Sequence, residues 1–202
     1  MSQWIFFDLG STLLDETDRT QEIMEATAAR LGMDLQAFET MLEHAAPGHP
    51  YVFKMELPGG VVWAPWPKRL DPLYAGVPEL LQKLHSCYSL GIIANHGIDT
   101  AQRLGIAQYL DLNVTSEEMG FRKPDPRMFT TALERAGCAP GDAVMVGDRL
   151  DNDIAPAKRL GMKTIWIRQG WGGRAVPASE EMTPDWEVKS LEEIGALLGL
   201  DT

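Results

Sequence analysis

Six short apolar runs, each ending at a polar or glycine-containing turn, constrain this chain more than any other feature. The first is Trp4-Ile5-Phe6-Phe7, closing on Asp8-Leu9-Gly10. Others lie at Leu90 to Ala94, Leu112 to Val114, Ala143 to Gly147 and Lys163 to Ile167, with a weaker one at Trp186 to Val188. Runs of this length without polar alternation read as strands buried on both faces. Helical patterns separate them: Pro78 to Leu84 with Leu80, Leu81 and Leu84 on one face, Met128 to Ala136 after Pro126, and Asn152 to Leu160 stopping at Gly161. Strands alternating with helices predict an α/β fold, a parallel sheet covered on both sides. Ligands of such sheets bind at the carboxyl ends of the strands. Asp8, Asn95 and Asp148 all fall at those ends.

The alternation fails in one place. From Asp15 to about Tyr74 there is no convincing parallel strand. Two amphipathic helices are expected there instead, over Thr17 to Leu31 and Leu35 to Ala45, turning at Gly32-Met33-Asp34. A loop rich in proline, glycine and tryptophan follows, from Pro47 to Pro72, and contains Trp63-Ala64-Pro65-Trp66-Pro67. An insertion straight after the first strand is placed to cover the crevice. This divides the chain into a core of residues 1–14 and 75–202 and a helical cap of residues 15–74. The alternative is a helical hairpin that pads the sheet.

Composition excludes several classes. Hydrophobic residues make up 45% of the 202 residues and charged residues 23%, which argues against disorder. Lys and Arg total 18 against 29 Asp and Glu, a formal net charge of -11. A phosphate backbone needs a basic surface, so nucleic acid is not an expected partner; a small molecule is. No apolar run approaches the roughly 20 residues needed to span a bilayer, and no basic segment precedes the first strand, so a cytoplasmic protein without membrane contact is expected. Cys87 and Cys138 lack metal-ligand spacing and read as buried or half-buried thiols near helix ends.

Four segments, in order, carry the chemistry: FFDLGSTL at Phe6 to Leu13, GIIANHG at Gly91 to Gly97, RKPDPRMF at Arg122 to Phe129, and VGDRLDND at Val146 to Asp153. Together they resemble the four motifs of the haloacid dehalogenase superfamily. The resemblance covers the core, and matches the insertion only by position and helical character. It implies a three-layer, Rossmann-like core with a helical cap, and hydrolysis through an aspartyl-phosphate. On this pattern Asp8 is the nucleophile and Lys123 the electrostatic clamp on it. Mg2+ is the implied cofactor, held by Asp8, the backbone carbonyl of Gly10, Asp148 and Asp153. Ser11, Thr12, Asn95 and His96 are the expected substrate-binding residues, and the substrate is expected to be a small phosphorylated metabolite.

Two positions depart from the resemblance. Family phosphatases carry a second aspartate two residues after the nucleophile, as general acid and base; this chain has Gly10. The Ser or Thr expected in the second motif is Ala94, with Asn95 beside it as a substitute donor. The family's dehalogenases also lack the second aspartate, but have no acidic pair like Asp148 and Asp153. Its phosphonate-cleaving members carry a small residue at the position of Gly10 and use a cap lysine, for which Lys54 is the candidate. A ligand-binding protein with slow turnover is the remaining alternative. A histidine from the cap, His49, is a candidate replacement for the missing acid. Trp63 and Trp66 read as packing residues or as a cover over the ligand, and the glycine-rich stretch from Gln169 to Arg174 as a loop near the crevice. His44 and His85 read as helix-surface residues.

Overall fold

A computed structural model describes residues 3–45, 57–65, 67 and 69–200. Among them six strands form one sheet in the order β3-β2-β1-β4-β5-β6, all pairs parallel. In chain order these are β1 (Trp4–Phe7), β2 (Ser89–Ala94), β3 (Leu112–Thr115), β4 (Ala143–Gly147), β5 (Lys163–Ile167) and β6 (Trp186–Val188). The helices, numbered likewise, are α1 (Thr17–Arg30), α2 (Leu35–Ala45), α3 (Val77–His85), α4 (Thr100–Arg103), α5 (Ser116–Met119), α6 (Pro126–Ala136), α7 (Ala155–Arg159) and α8 (Leu191–Leu197). None is long and apolar enough to cross a membrane.

Two-sided burial explains why the strands are continuously apolar. Successive side chains point to opposite faces. Ile5, Phe7, Leu90, Ile92, Val144, Val146, Ile165 and Ile167 join one cluster, with α3 and α8 supplying Leu81, Leu84, Leu191 and Ile194. Phe6, Ile93 and Met145 point the other way, onto Met128, Phe129 and Ala132 of α6 and Ala157 of α7. Helix, sheet and helix therefore make three layers. Gly91 permits the second layer to close: a Cβ there would sit 2.7 Å from the Phe6 ring.

The chain order reverses at β1, which pairs with β2 on one side and β4 on the other. Such a switch point opens a crevice at the strand ends. Phe7 is in register with Val146, and the Asp8 N–H donates to the Val146 carbonyl at 2.9 Å. Residues just beyond β1 and β4 consequently emerge side by side.

Between β1 and α3, α1 and α2 pack on each other with their own apolar cluster: Met24, Ala28, Phe38, Leu42 and Leu57, with Trp63 and Trp171 against it. Apart from isolated bridges joining Leu14 to Gly10 and to Leu73, the described part of this segment adds nothing to the sheet. Its foot is tied down by charge. Arg19 on α1 and Asp71 are both buried and form an ion pair, and Arg19 also donates to the Arg69 carbonyl at 2.9 Å. Arg69 returns to α1 through Glu22 at 2.6 Å.

Two expectations need correction. Cys87, expected to be buried or half-buried, is exposed just beyond α3, because the helix ends with its apolar face behind it. The helix expected from Asn152 begins at Ala155. Leu150–Ile154 form a wider turn in which the Asp153 and Ile154 N–H groups both donate to the Arg149 carbonyl, because the Asp153 side chain is drawn inward.

Asp71→Ala removes the carboxylate paired with the buried Arg19 guanidinium. Removing one partner of a buried pair typically costs about 3–5 kcal/mol, so the urea midpoint of this variant is expected to drop by that equivalent. A loss below about 1 kcal/mol, the range of an exposed pair, would show that the tie carries little of the fold.

Candidate active site

The turn after β1 is built on one acceptor. The N–H groups of Thr12, Leu13 and Leu14 all donate to the Leu9 carbonyl, at 3.3, 2.9 and 2.8 Å. Folding the chain this tightly leaves Asp8 at the sheet's edge and puts Ser11 in left-handed backbone with φ 54°.

Lys123 reaches Asp8 from the loop between α5 and α6. Its Nζ donates to Asp8 Oδ1 and to Asp153 Oδ1, both at 2.6 Å. The ammonium is completely buried, as is Asp153. An unpaired charge at such depth is prohibitively costly, so the lysine and the two carboxylates exist as a unit. The Asn95 side chain fixes the lysine's backbone: Lys123 N donates to Asn95 Oδ1 at 2.8 Å, and Asn95 Nδ2 donates to the Lys123 carbonyl at 3.1 Å.

On the other side of Asp8, β4 delivers the second half of the cluster. Asp148 follows Gly147 directly, and its carbonyl accepts from Trp166 Nε1 at 2.7 Å. Asp153 Oδ2 accepts from the Arg149 N–H at 3.0 Å. Gly147 makes room for this: a Cβ there would lie 2.5 Å from the Asp153 Cβ. Asp8, Asp148 and Asp153 each present a carboxylate oxygen, and the three oxygens lie within 4.8 Å of one another. Buried hard oxygen donors in one cluster suit a cation such as Mg2+.

Charge balance follows. Burial lifts the Asp153 carboxyl to about 6; Lys123 opposes the rise and Asp8 adds to it. Burial pulls the other way on Lys123, but Asp153 and Asp8 outweigh it and hold the ammonium above its ordinary value. His96, expected at the crevice, lines it as a neutral imidazole: burial, then Lys123, Arg19 and Arg122, push it down to about 4.

A cavity of about 580 Å³ opens over Asp8, Gly10, Ser11, Asn95, His96 and Asp148, within the range of small-molecule sites. Thr12, expected to bind substrate, is fully buried and is not part of the cavity wall. Lys123 and Asp153 stand behind Asp8 rather than on the wall. His49, Lys54 and Trp66 lie outside the described residues. Trp63 both packs and covers: its ring meets Phe38 edge-on at 5.5 Å between centroids, and it lines the cavity. Trp171, from the glycine-rich stretch, lines it too, and Gly170 approaches Ser11 so closely that a Cβ would stand 2.8 Å from it.

Glu16 and Arg19 were not singled out in the sequence, yet both line this cavity. Glu16 is buried and accepts from the Ser11 hydroxyl at 3.1 Å. Burial pushes its carboxyl up; Arg19 lowers it, Asp8 raises it further, and the Ser11 hydrogen bond lowers it. Asp15 and Glu16 looked like ordinary acidic residues at a helix start, and nothing in their spacing distinguished them.

Residues 3–161 match the family model of the haloacid dehalogenase-like hydrolases. A glyceraldehyde 3-phosphate phosphatase from Methanopyrus kandleri is 38% identical over 130 residues, which is 62% of this chain and 55% of that protein. The match thus spans about half the length of that relative. Another protein of the same name, from Pyrococcus furiosus, is 30% identical over 82% of this chain and 80% of its own. Among solved structures, a HAD phosphatase from Thermococcus onnurineus superposes with a TM-score of 0.65 at 24% identity, covering 98% of this chain and 99% of that one.

Lys123→Met leaves the buried carboxylates facing one another without the ammonium. At pH 8 and without divalent cations the variant is expected to be about 3–5 kcal/mol less stable than the parent. A carboxyl whose folded-state pKa is raised binds its proton preferentially in the folded protein, so stability rises as pH falls through that value. Lys123 lowers the Asp153 value in the parent, so without it the carboxyl protonates above about 6 and the deficit should already have shrunk by the time pH falls to that value. Urea unfolding at pH 8 and pH 5 checks this; equal deficits at both would refute the charge explanation.

Proposed function

The chain belongs to the haloacid dehalogenase-like hydrolases, and from that premise we propose that it is a Mg2+-dependent phosphatase of a small phosphorylated metabolite, acting through Asp8. The observation that carries this reading is the buried unit in which one ammonium holds Asp8 and Asp153 at 2.6 Å each, with Asp148 in the same cluster. Relatives named as phosphatases support it as well. A dehalogenase has less use for three clustered carboxylates, since its leaving halide needs no cation to balance a phosphoryl charge.

Asp8, Asp148 and Asp153, with the Gly10 carbonyl, are the residues to hold the ion. When bound, Mg2+ supplies charge neutralisation between an anionic nucleophile and an anionic phosphoryl group. The protein's own groups do the remainder. An Asp8 carboxylate oxygen attacks phosphorus, the ester oxygen departs, and the aspartyl-phosphate is then hydrolysed by water. Lys123 orients the Asp8 carboxylate, and its charge offsets part of the negative charge gathered during transfer. Asn95 acts through Lys123 by fixing its backbone.

Residues 15–74 serve as the cap. In support, α1 and α2 carry a separate apolar cluster, and Arg19, Ile23 and Trp63 from this segment wall the cavity above Asp8. The cavity's size fits a small molecule. The net charge of -11 disfavours nucleic acid, and the cytoplasm, where Mg2+ and phosphorylated metabolites are abundant, is the expected location.

Purified protein with Mg2+ is expected to hydrolyse 4-nitrophenyl phosphate, and Asp8→Asn to reduce the rate to background. Mg2+ should also raise the melting temperature of the parent and not of Asp148→Asn. Residual turnover in the Asp8 variant would remove the nucleophile assignment; an undiminished Mg2+ shift in the Asp148 variant would remove the ligand assignment.

A further inference from the structure

Phosphate-ester cleavage beside Asp8 needs a proton for the departing oxygen, and Gly10 has no side chain to give one. Among the described residues three carboxylates line the cavity: Asp8, Asp148 and Glu16. Asp8 is the nucleophile and Asp148 belongs to the cation cluster. His96 is neutral at pH 7, its pKa pushed to about 4, so it holds no surplus proton to donate. Among the described residues Glu16 is left, and its position is specific. A Cβ built on Gly10 would stand 2.9 Å from Glu16 Oε2, 3.2 Å from Cδ and 3.3 Å from Oε1. The Glu16 carboxylate therefore occupies the space into which a side chain at position 10 would project.

Its own surroundings hold it there. Glu16 stands at the N-cap position of α1, where a side chain usually turns back to bond the helix N–H groups, yet it makes no such bond. It points instead across the turn, where the Ser11 hydroxyl donates to Oε2. Arg19, one turn further along α1, is the cation nearest in effect.

Resting on the phosphatase reading above, we propose that Glu16 is the general acid and base of this site, supplying from α1 the carboxyl that position 10 lacks. In the first half-reaction Asp8 forms its bond to phosphorus while the ester P–O bond breaks, and the Glu16 carboxyl proton passes to the departing alkoxide, leaving a carboxylate. In the second, Glu16 takes a proton from water as the water oxygen attacks phosphorus. The Asp8–phosphorus bond breaks, inorganic phosphate leaves, and both carboxyl groups return to their starting states. Water is the only co-reactant.

The test compares 4-nitrophenyl phosphate, whose leaving group departs readily without a proton, with phenyl phosphate, whose leaving group departs poorly. Glu16→Gln keeps the size of the side chain and removes its acid. Its kcat on phenyl phosphate is expected to fall about 10²- to 10⁴-fold, the usual weight of general acid–base catalysis, and markedly less on 4-nitrophenyl phosphate. Gly10→Asp alone should not gain rate, because Glu16 already fills the space. Gly10→Asp combined with Glu16→Ala should recover much of the phenyl phosphate rate. A Mg2+ melting shift equal to the parent's checks that the variants fold with the cluster intact. Equal losses on both esters, or no loss, in a background where the parent turns over would overturn the role of Glu16 alone. A parent that cleaves neither ester, or cleaves both equally well as Asp8→Asn, would overturn the phosphatase reading and this inference with it.

Discussion

The Lys123 ammonium between Asp8 and Asp153 is the interaction on which the arrangement of this protein depends. A lysine with no exposed side-chain surface is tolerable only where carboxylates meet it at hydrogen-bonding distance. Those carboxylates come from opposite sides of the chain order: Asp8 after β1, Asp153 from the turn after β4. The ion pair therefore couples the first strand, the third motif and the fourth. Asn95, at the end of β2, completes the link by bonding both backbone groups of Lys123. Three adjacent strands thus converge on one cation, and the site cannot be perturbed without loosening the carboxyl edge of the sheet.

Glycine makes that convergence possible at two points. At position 147 any side chain would overlap Asp153, so β4 ends in the one residue that lets a buried carboxylate fold back beneath it. At position 10 the bare backbone leaves a space that a carboxylate from α1 enters. The first glycine lets Asp153 close in beside Asp8 and Asp148, whereas the second, on the proposal above, exchanges one acid's point of attachment for another's. An acid at position 10 would be held by the turn itself. Glu16 is held by the Ser11 hydroxyl and biased by Arg19, both of which touch the cavity, so the wall and the charge reside in the same element.

Much of this was legible in the sequence because it is encoded locally. The strands are runs of residues such as Ile5-Phe6-Phe7 and Val144-Met145-Val146, whose two-sided burial permits no polar alternation. Their lengths and the intervening helices announced the parallel sheet. Asp8, Lys123, Asp148 and Asp153 sit in short segments whose residue types carry their own signal. The helical pattern from Asn152 does not reveal the wider turn at Leu150–Ile154, because that distortion arises from a tertiary event, the inward pull on Asp153. Cys87 lies outside the core because the apolar helix face ends three residues before it, at Leu84, and periodicity alone does not mark where a face stops. Glu16 escaped notice for a similar reason. Its neighbours in sequence, Asp15 and Thr17, describe a routine helix start, and its relation to Gly10 exists only once the turn around the Leu9 carbonyl has folded.

On the proposed reading, a chain with eleven more acidic than basic groups nevertheless receives an anion. The resolution lies in where the charges stand. Lys123 is buried behind Asp8, and Arg19 and Arg122 line the cavity. Nearby charges count for far more than distant ones screened at the surface. The global field slows the approach of any large polyanion, while a small phosphorylated molecule that has entered meets chiefly the local cations. On that reading the acidic surface disfavours long charged polymers, whereas a compact anion inside meets Arg19 and Arg122 beside the cavity's own carboxylates.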